Sequence, residues 1–388
     1  MSAQATRTQT PPSAEEAAHL LRACAGEGLA VRIAGAGTKP WGGPGVDCAV
    51  QLRTTALDAI VEHNRGDFTA VVQPGASLRE LQDAFASADQ MLALDPPLGE
   101  GDAATIGGAV ATADCGPLRH RYGAARDLVL GITVALPDGT LARAGGKVIK
   151  NVAGYDLPKL FTGAFGTLGV ICELAVRLHP RPPAQATATG TTDDLGTLQR
   201  AAIALASSSL EAQALDVRWQ APTGAVLARF AGVAAHEQAL AAERLLAGLG
   251  VEAATAEDDE ALWAAQRAAQ RSLDGGAVVR VSGRPTGLAD ACVAAQIAGA
   301  TLVGRAALGV WWIALPAAAP GELVTAVARL RNVLAPAPCV VLDAPASVRA
   351  HLDPWDHPHD AGLVLMRRVK ERFDPLATCN PGIFVGGI

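Results

Sequence analysis

The sequence predicts an α+β protein of two domains followed by a C-terminal segment that docks back on the first. Three observations carry that expectation. Up to about residue 183 the chain is mainly strands separated by glycine-rich loops; the prolines of HPRPPA (179–184) then break it; and from 184 to about 345 helical stretches alternate with short strands. The expected divisions are 1–183, 184–345 and 346–388.

Each element has a local reason. Ser13 with Glu16 three residues on is a capping box, and AEEAAHLLRACAGEG runs as a helix to Gly26 and Gly28. The strand AVRI (30–33) and the loop AGAGTKPWGG follow, then a helix near 56–64, the strand TAVVQ, the turn Pro74-Gly75 and a second capping box, Ser77 with Glu80. DLVLGITVALPDGTLARA reads as two strands joined around Pro-Asp-Gly. In VICELAVRL (170–178), Cys172, Leu174, Val176 and Leu178 share one face. The second domain offers helices at 236–248, 257–272 and 320–334 among strands at 215–219, 225–230, 277–282 and 309–315. That domain has room for two similar α+β halves, although no repeat shows in the sequence. The tail supplies a charged helix, LMRRVKERF, and an irregular ending, DPLATCNPGIFVGGI.

Composition narrows the function. A chain of 388 residues, half of them apolar, can bury a sizeable core, and a net charge of −6 gives no electrostatic footprint for nucleic acid or an anionic membrane. The N-terminus has no apolar stretch of the secretory type, and the longest uncharged run, 306–321, is broken by Pro316 and Pro320. A cytoplasmic location is expected, with peripheral attachment to the inner membrane through a partner left open. Seven cysteines, at 24, 48, 115, 172, 292, 339 and 379, contain no C-x-x-C, so neither an iron–sulfur cluster nor a metal site is expected in this chain.

Four glycine-bearing stretches remain. Gly35-Ala36-Gly37-Thr38-Lys39 follows a strand, but Pro40, Trp41, Gly42 and Gly43 disfavour the helix a dinucleotide fingerprint requires. Such a loop still forms a nest of N–H groups for a diphosphate, although taken alone it is an ordinary turn. VVQPGASLREL is a strand meeting a capped helix. GEGDAATIGGAVATADCG (99–116) reads as a loop whose Gly107 and Gly108 admit close approach to a ligand. In VIKNVAGYDLPKLFTGAFGTLGVICE, Asp156 caps a helix with Pro158 in its first turn, and Gly163, Gly166 and Gly169 break the chain before the next strand.

Together these stretches resemble the FAD-binding domain of the vanillyl-alcohol oxidase and p-cresol methylhydroxylase (PCMH) superfamily, through RIAGAGTKPWGG, VVQPGASLREL, TIGGAVAT, RYGAARDLVLG and KNVAGYDLPKLFTGAFGTLGVICELAV. The tail FDP…NPG resembles the ending of FAD-linked oxidases that act on 2-hydroxy acids. GGKVIKNVAGYDLPKL and the compact middle domain are similar to the FAD-binding E subunits of bacterial glycolate oxidases.

The resemblance implies a two-subdomain PCMH-type FAD-binding domain, a smaller ferredoxin-like α+β cap domain and a returning tail. It implies that Gly35, Ala36, Gly37, Thr38 and Lys39 lie against the pyrophosphate, with Pro74, Gly75, Thr105, Ile106, Gly107 and Gly108 lining the cofactor. Gly123, Lys150, Asn151, Gly154, Val170 and Asn380 complete the implied cofactor-binding set; for Lys150 a solvated lysine is an equal reading. Relatives with covalent flavin use a His or Cys where this chain offers Thr38 and Gly101 or Asp102, so the FAD is expected to be non-covalent and Cys115 a buried thiol.

Catalysis is less legible. Catalytic relatives carry clustered histidines in the second domain, whereas residues 184–345 contain only His236, and Ala164-Phe165 stands where they commonly carry Ser-Glu. His351, His357 and His359 read as a solvated loop; Arg280, Arg284 and Arg305 read mainly as ion pairs, with carboxylate binding the alternative; one of Trp311 and Trp312 packs in the core while the other faces a cofactor, a partner or solvent. No catalytic base is assigned. The leading expectation is an FAD-binding subunit that works on a small 2-hydroxy acid with a paralogous FAD-binding catalytic subunit and an iron–sulfur subunit. The alternatives are a self-sufficient D-lactate-like dehydrogenase and a non-catalytic assembly subunit, with a NAD(P)-dependent Rossmann dehydrogenase weakest.

Overall fold

The computed structural model describes residues 7–149, 154–272, 274–357 and 360–388. In chain order the first elements are β1 (Arg7–Gln9), α1 (Ala14–Gly26), β2 (Val31–Ala34), β3 (Val50–Arg53), β4 (Ile60–Asn64), β5 (Thr69–Val72), α2 (Leu78–Ala86) and β6 (Gln90–Met91). After them come α3 (Ile106–Thr112), α4 (Arg119–Tyr122), α5 (Ala125–Leu128), β7 (Val129–Ala135), β8 (Leu141–Gly145), α6 (Pro158–Phe161), β9 (Val170–Arg177) and β10 (His179–Pro180). The chain divides into two compact units. The first is drawn from Met1–Cys115, Gly123–Arg181 and His357–Ile388, the second from Gly116–Tyr122 and Pro182–Asp356.

Unit one holds a parallel sheet of order β1-β3-β2, an antiparallel sheet of order β4-β5-β9-β7-β8 and the ribbon β6–β10. The Ser13 and Ser77 hydroxyls each accept from the amide three residues on, at 3.1 Å, which fixes where α1 and α2 begin. Ala17, Ala18, Leu21 and Cys24 of α1 pack on Val31, Val50 and Leu52, so the helix braces the parallel sheet that carries the first glycine loop. The returning segment bridges in parallel to β2 at Cys379, with Val31 N donating to Thr378 O at 2.7 Å and Asn380 N to Val31 O at 2.9 Å.

Three sequence expectations change here. Residues 60–64 form strand β4, not a helix, because Ile60 and Val61 are β-branched and the segment pairs with β5. Ile106–Thr112 is a helix rather than a loop: the Thr105 hydroxyl caps it by accepting from Gly108 N at 3.2 Å. At α6 the N-cap is Leu157, and Asp156 instead pairs with Lys159 at 2.9 Å.

Unit two repeats one pattern twice. Its first half is β11 (Gln185–Thr192), α7 (Leu195–Ala206), β12 (Ala214–Gln220), β13 (Thr223–Ala231), α8 (Ala235–Gly248) and β14 (Glu252–Ala256), followed by α9 (Glu260–Ala268). The second half is β15 (Ala277–Ser282), α10 (Leu288–Ile297), β16 (Thr301–Arg305), β17 (Val310–Leu315), α11 (Pro320–Leu334) and β18 (Cys339–Asp343), with α12 (Ala346–Arg349) after it. The strands form one antiparallel sheet of order β14-β11-β13-β12-β16-β17-β15-β18, so each βαββαβ half is ferredoxin-like and the halves join along β12–β16. Alternate residues such as Leu215, Val217, Val279, Val281, Trp311 and Ile313 face one core with the helices. The last helix, α13 (Ala361–Phe373), belongs to unit one. None of the helices among the described residues is long and apolar enough to cross a membrane.

Candidate functional site

Unit one contains a cavity of about 250 Å³ between the glycine loop after β2, the start of α3, the 165–171 stretch and the C-terminal turn. Among the described residues its wall includes two cations, Arg32 and Lys39, and no aspartate, glutamate, histidine, cysteine or tyrosine. The other polar wall groups are neutral: Thr38, Gln51, Thr54, Thr105, Thr112 and Asn380. A larger groove of about 460 Å³ runs between α10 and α11, lined by Ala, Ile, Leu and Val together with Glu322, Thr325 and Arg329.

The backbone decides which part of this wall can hold an anion. Among the described residues the amides of Gly35, Ala36 and Gly37 donate to no protein acceptor, and neither does that of Gly166. The start of α3 is different. Ile106 N donates to Ala76 O at 3.0 Å, Gly107 N to Pro74 O at 2.8 Å and Gly108 N to Thr105 Oγ1 at 3.2 Å, so that helix end is spent inside the protein. Backbone donors for an anion are therefore open on the 35–37 loop, with the Arg32 guanidinium on the same wall.

Glycine is required here for two distinct reasons. Gly37 has φ of +82° with open space where a Cβ would stand, so it serves the loop's shape. Gly107 is excluded from carrying a side chain by Pro74, whose Cβ would lie 2.5 Å from it. The first glycine faces open space and the second faces protein.

Arg32, which sequence reasoning passed over, sits on β2 opposite Gln51 in the parallel register, and both line the cavity. It hydrogen-bonds the Cys48 sulfur and forms no ion pair among the described residues. The signal was present in AVRIAGAG: Val31 faces the core, so the next residue faces away from it immediately before the glycine loop. Lys39 is nearly buried and lies 3.5 Å from Asp114, which is also buried and does not line the cavity.

Gly35, Ala36, Gly37, Thr38, Lys39, Pro74, Thr105, Gly107, Gly108 and Asn380 thus converge on one cavity. Asn380 spends its amide on the protein, accepting from Ile33 N at 2.7 Å and donating to Phe165 O at 2.7 Å and Ile33 O at 3.3 Å. Gly75, Ile106 and Val170 lie outside the wall: Gly75 N donates to Leu57 O at 2.6 Å, and Ile106 and Val170 are fully buried. Gly123 packs beside Asp127, and Gly154 lines a separate recess of about 200 Å³ with Lys159 and Arg177. Lys150, Asn151 and His359 lie outside the described residues.

The remaining candidates resolve as structure. His236 is exposed and pairs with Glu257 at 2.9 Å, and His351 bonds Ser347 O at 2.8 Å. Arg305 is fully buried, donating to Asp216 at 2.6 Å and to Gly116 O at 2.9 Å, while Arg284 is exposed and Arg280 half-buried. Both Trp311 and Trp312 are buried, the first in the helix-side core and the second 4.8 Å from the Arg305 guanidinium. Cys115 is buried.

Residues 6–145 match the family model described as the FAD binding domain. This part of the chain is an FAD-binding domain. The chain is 34% identical over 178 residues to glycolate oxidase subunit GlcD of Bacillus subtilis, covering 46% of this chain and 37% of that one. It is 42% identical over 125 residues to glycolate oxidase subunit GlcE of Escherichia coli, covering 32% and 35%. Against the mitochondrial cytochrome-type D-lactate dehydrogenase of Arabidopsis thaliana it is 36% identical over 179 residues, covering 44% and 30%. The chain thus spans about a third of the length of these curated relatives. A solved structure of alkyldihydroxyacetonephosphate synthase superposes over 96% of this chain and 76% of its own, with TM-score 0.75 at 16% identity, which establishes a shared fold.

The chemistry of the cavity wall suits a diphosphate. A diphosphate needs backbone donors and a cation: the 35–37 amides and Arg32 offer both, and Lys39 adds a charge that it shares with Asp114.

Proposed function

We propose that this chain binds FAD non-covalently through the unit-one cavity and serves as the FAD-binding subunit of a complex that oxidises glycolate to glyoxylate and passes electrons to an iron–sulfur partner. The observation that carries the reading is the chemistry of the wall: amides of the 35–37 loop that donate to no protein acceptor, beside the cation Arg32, with no His or Cys among the described wall residues. Bound FAD supplies an acceptor for the hydride of a 2-hydroxy acid. The described wall residues do the rest of the binding. Gly35, Ala36 and Gly37 would donate to phosphate oxygens, Arg32 and, shared with Asp114, Lys39 would offset their charge, and Thr38, Thr105 and Thr112 would offer hydroxyls around the same space.

The same wall offers no side chain that takes a proton near neutral pH, so the substrate hydroxyl's proton goes to a group it does not supply. A paralogous FAD-binding subunit carrying the base suits that gap. The higher identity to the GlcE relative than to the GlcD relative favours the E-type role, and cysteines without a C-x-x-C favour a separate iron–sulfur chain. A cytoplasmic complex, attached peripherally to the inner membrane, goes with this reading.

The test is an anaerobic absorption spectrum of the purified chain before and after glycolate is added. A flavin spectrum that stays oxidised with the chain alone and bleaches once partner subunits are added supports the proposal. Bleaching by the chain alone overturns the subunit reading in favour of a self-sufficient dehydrogenase. A preparation that neither carries nor takes up flavin overturns the reading of the cavity.

A further inference from the structure

The C-terminal turn that lines the cavity is held from outside it by a buried ammonium. Lys370, on α13, is 10% exposed at its side chain and donates to three acceptors: Asp374 Oδ2 at 2.5 Å, Thr167 O at 2.7 Å and Cys379 O at 2.9 Å. Its three N–H groups are thereby all used. Asp374, fully buried, accepts in turn from Thr378 N at 2.9 Å and Cys379 N at 2.7 Å. One ion pair therefore fixes the backbone on both sides of Cys379 and ties it to Thr167.

Asn380 is the next residue. It sits at φ of +42°, in the left-handed region that asparagine tolerates better than most residues, and its amide joins Ile33 to Phe165. Ile33 is on the strand that delivers the glycine loop, and Phe165 begins the stretch that forms another part of the wall. Phe165 has φ of +55°, with its N–H donating to Ala111 O at 2.8 Å and its carbonyl accepting from Asn380. Lys370 and Asp374 hold Asn380, and Asn380 sets the spacing between two walls of the cavity.

We propose that Lys370 and Asp374 are positioning residues for the flavin cofactor: neither lines the cavity, yet together they set its affinity for FAD through Asn380. The inference rests on the assignment of the cavity to FAD. Coupling of this kind is reciprocal, so bound FAD also stabilises the 374–380 turn.

The test uses the full chain stripped of flavin and titrated with FAD, with binding read from flavin fluorescence. Replacing only the lysine leaves a buried carboxylate without its cation, so the informative variant removes both charges, Lys370→Met with Asp374→Asn. We expect FAD to bind about 10- to 100-fold more weakly, the loss usual when the outer supports of a bound group are removed. Asn380→Ala is expected to cost a similar factor, and the combined variant no more than about twofold beyond the larger single effect. A folded double-charge variant that binds FAD as tightly as the native chain overturns the proposal, and so does a multiplicative combination with Asn380→Ala. Should that variant fail to fold, the native chain decides. Hydrogen exchange at the Thr378, Cys379 and Asn380 amides is expected to slow when FAD is added; an unchanged rate overturns the coupling. A native chain that takes up no FAD instead refutes the cavity assignment, and the positioning role falls with it.

Discussion

The cavity wall of unit one carries one arginine, Arg32, while unit two buries Arg229, Arg271 and Arg305, and the two regions treat them in opposite ways. On the sheet every buried guanidinium in an ion pair meets a buried carboxylate: Arg229 binds Asp259, Arg271 meets Asp343 at 2.7 Å and Arg305 meets Asp216 at 2.6 Å. Gln266 adds a 3.0 Å bond to Asp216, and Trp263 lies over Arg229 at 5.6 Å. In the cavity, Arg32 has no carboxylate at all among the described residues, and three neighbouring backbone amides have no acceptor. A compensated charge holds a fold together, whereas an uncompensated one next to idle donors is arranged for something absent from the chain. What separates the two regions is the partners of their arginines.

The most forceful way to break that contrast is to uncouple the sheet pair. Arg305→Met strands Asp216 in a fully buried position and is expected to destabilise unit two by about 3–5 kcal/mol. Burial already pushes the Asp216 carboxyl up to about 6, against the opposing pull of Arg305 and Gln266. Without Arg305 the carboxyl rises further, and the folded variant holds its proton more tightly than the unfolded chain does. The deficit should therefore shrink as pH falls from 7 towards 5. Adding Asp216→Leu to the variant is expected to restore most of the loss. Urea midpoints read by tryptophan fluorescence report mainly on this unit, because Trp219, Trp263, Trp311, Trp312 and Trp355 lie in it and only Trp41 lies elsewhere. No deficit would mean that the sheet arginine is not structural, and a pH-independent one that its worth does not come from Asp216.

In the cavity the corresponding change should leave stability alone. Arg32→Met removes a cation that no carboxylate depends on, so the unfolding midpoint of the flavin-free chain is expected to move by less than about 0.5 kcal/mol. FAD affinity is expected to fall about 10- to 100-fold, the worth of a charge-assisted bond to phosphate, and to become less sensitive to salt. Titration at two salt concentrations checks both parts. A large loss of stability with unchanged affinity would place Arg32 among the structural arginines.

The parts of this contrast that were legible in the sequence are those set locally. The glycine loop at 35–39 and the Thr105–Gly108 stretch could be found because positive φ and close backbone approach demand particular residues at particular places. Lys370 could not: LMRRVKERF reads as a solvated charged face, and two of the acceptors that bury this lysine stand at 167 and 379. The duplicated halves were only half visible. Helix α10, LADACVAAQI, is apolar round most of its circumference, so it shows no amphipathic period, and α7 is similarly rich in alanine. Strand β4 reads as a helix in the sequence because its strand character comes from pairing with β5 rather than from alternation.

The smallest expected effect sharpens the comparison through pH. His179, on β10 beside β6, has its pKa lowered to about 4, first by burial and then by the nearby Arg177. In the unfolded chain an imidazole titrates near 6.5, so the unfolded state takes up a proton first as the solution is acidified. Its contribution is present above about pH 6.5 and is lost as pH falls towards 4, the reverse of the Asp216 contribution, which is lost as pH rises through about 6. Unit one should therefore weaken between pH 6.5 and 4.5 by an amount that His179→Asn abolishes, while Asp216→Asn removes a dependence of opposite sign from unit two. Because His179 is only half-buried, the shift in its urea midpoint should be modest, and reading it by backbone circular dichroism against the variant isolates it from other titrating groups. If the variant keeps the full acid sensitivity of the native chain, the acid weakness of unit one lies elsewhere. The two units would then no longer be distinguished by the sign of their buried titrations, only by whether their arginines have partners.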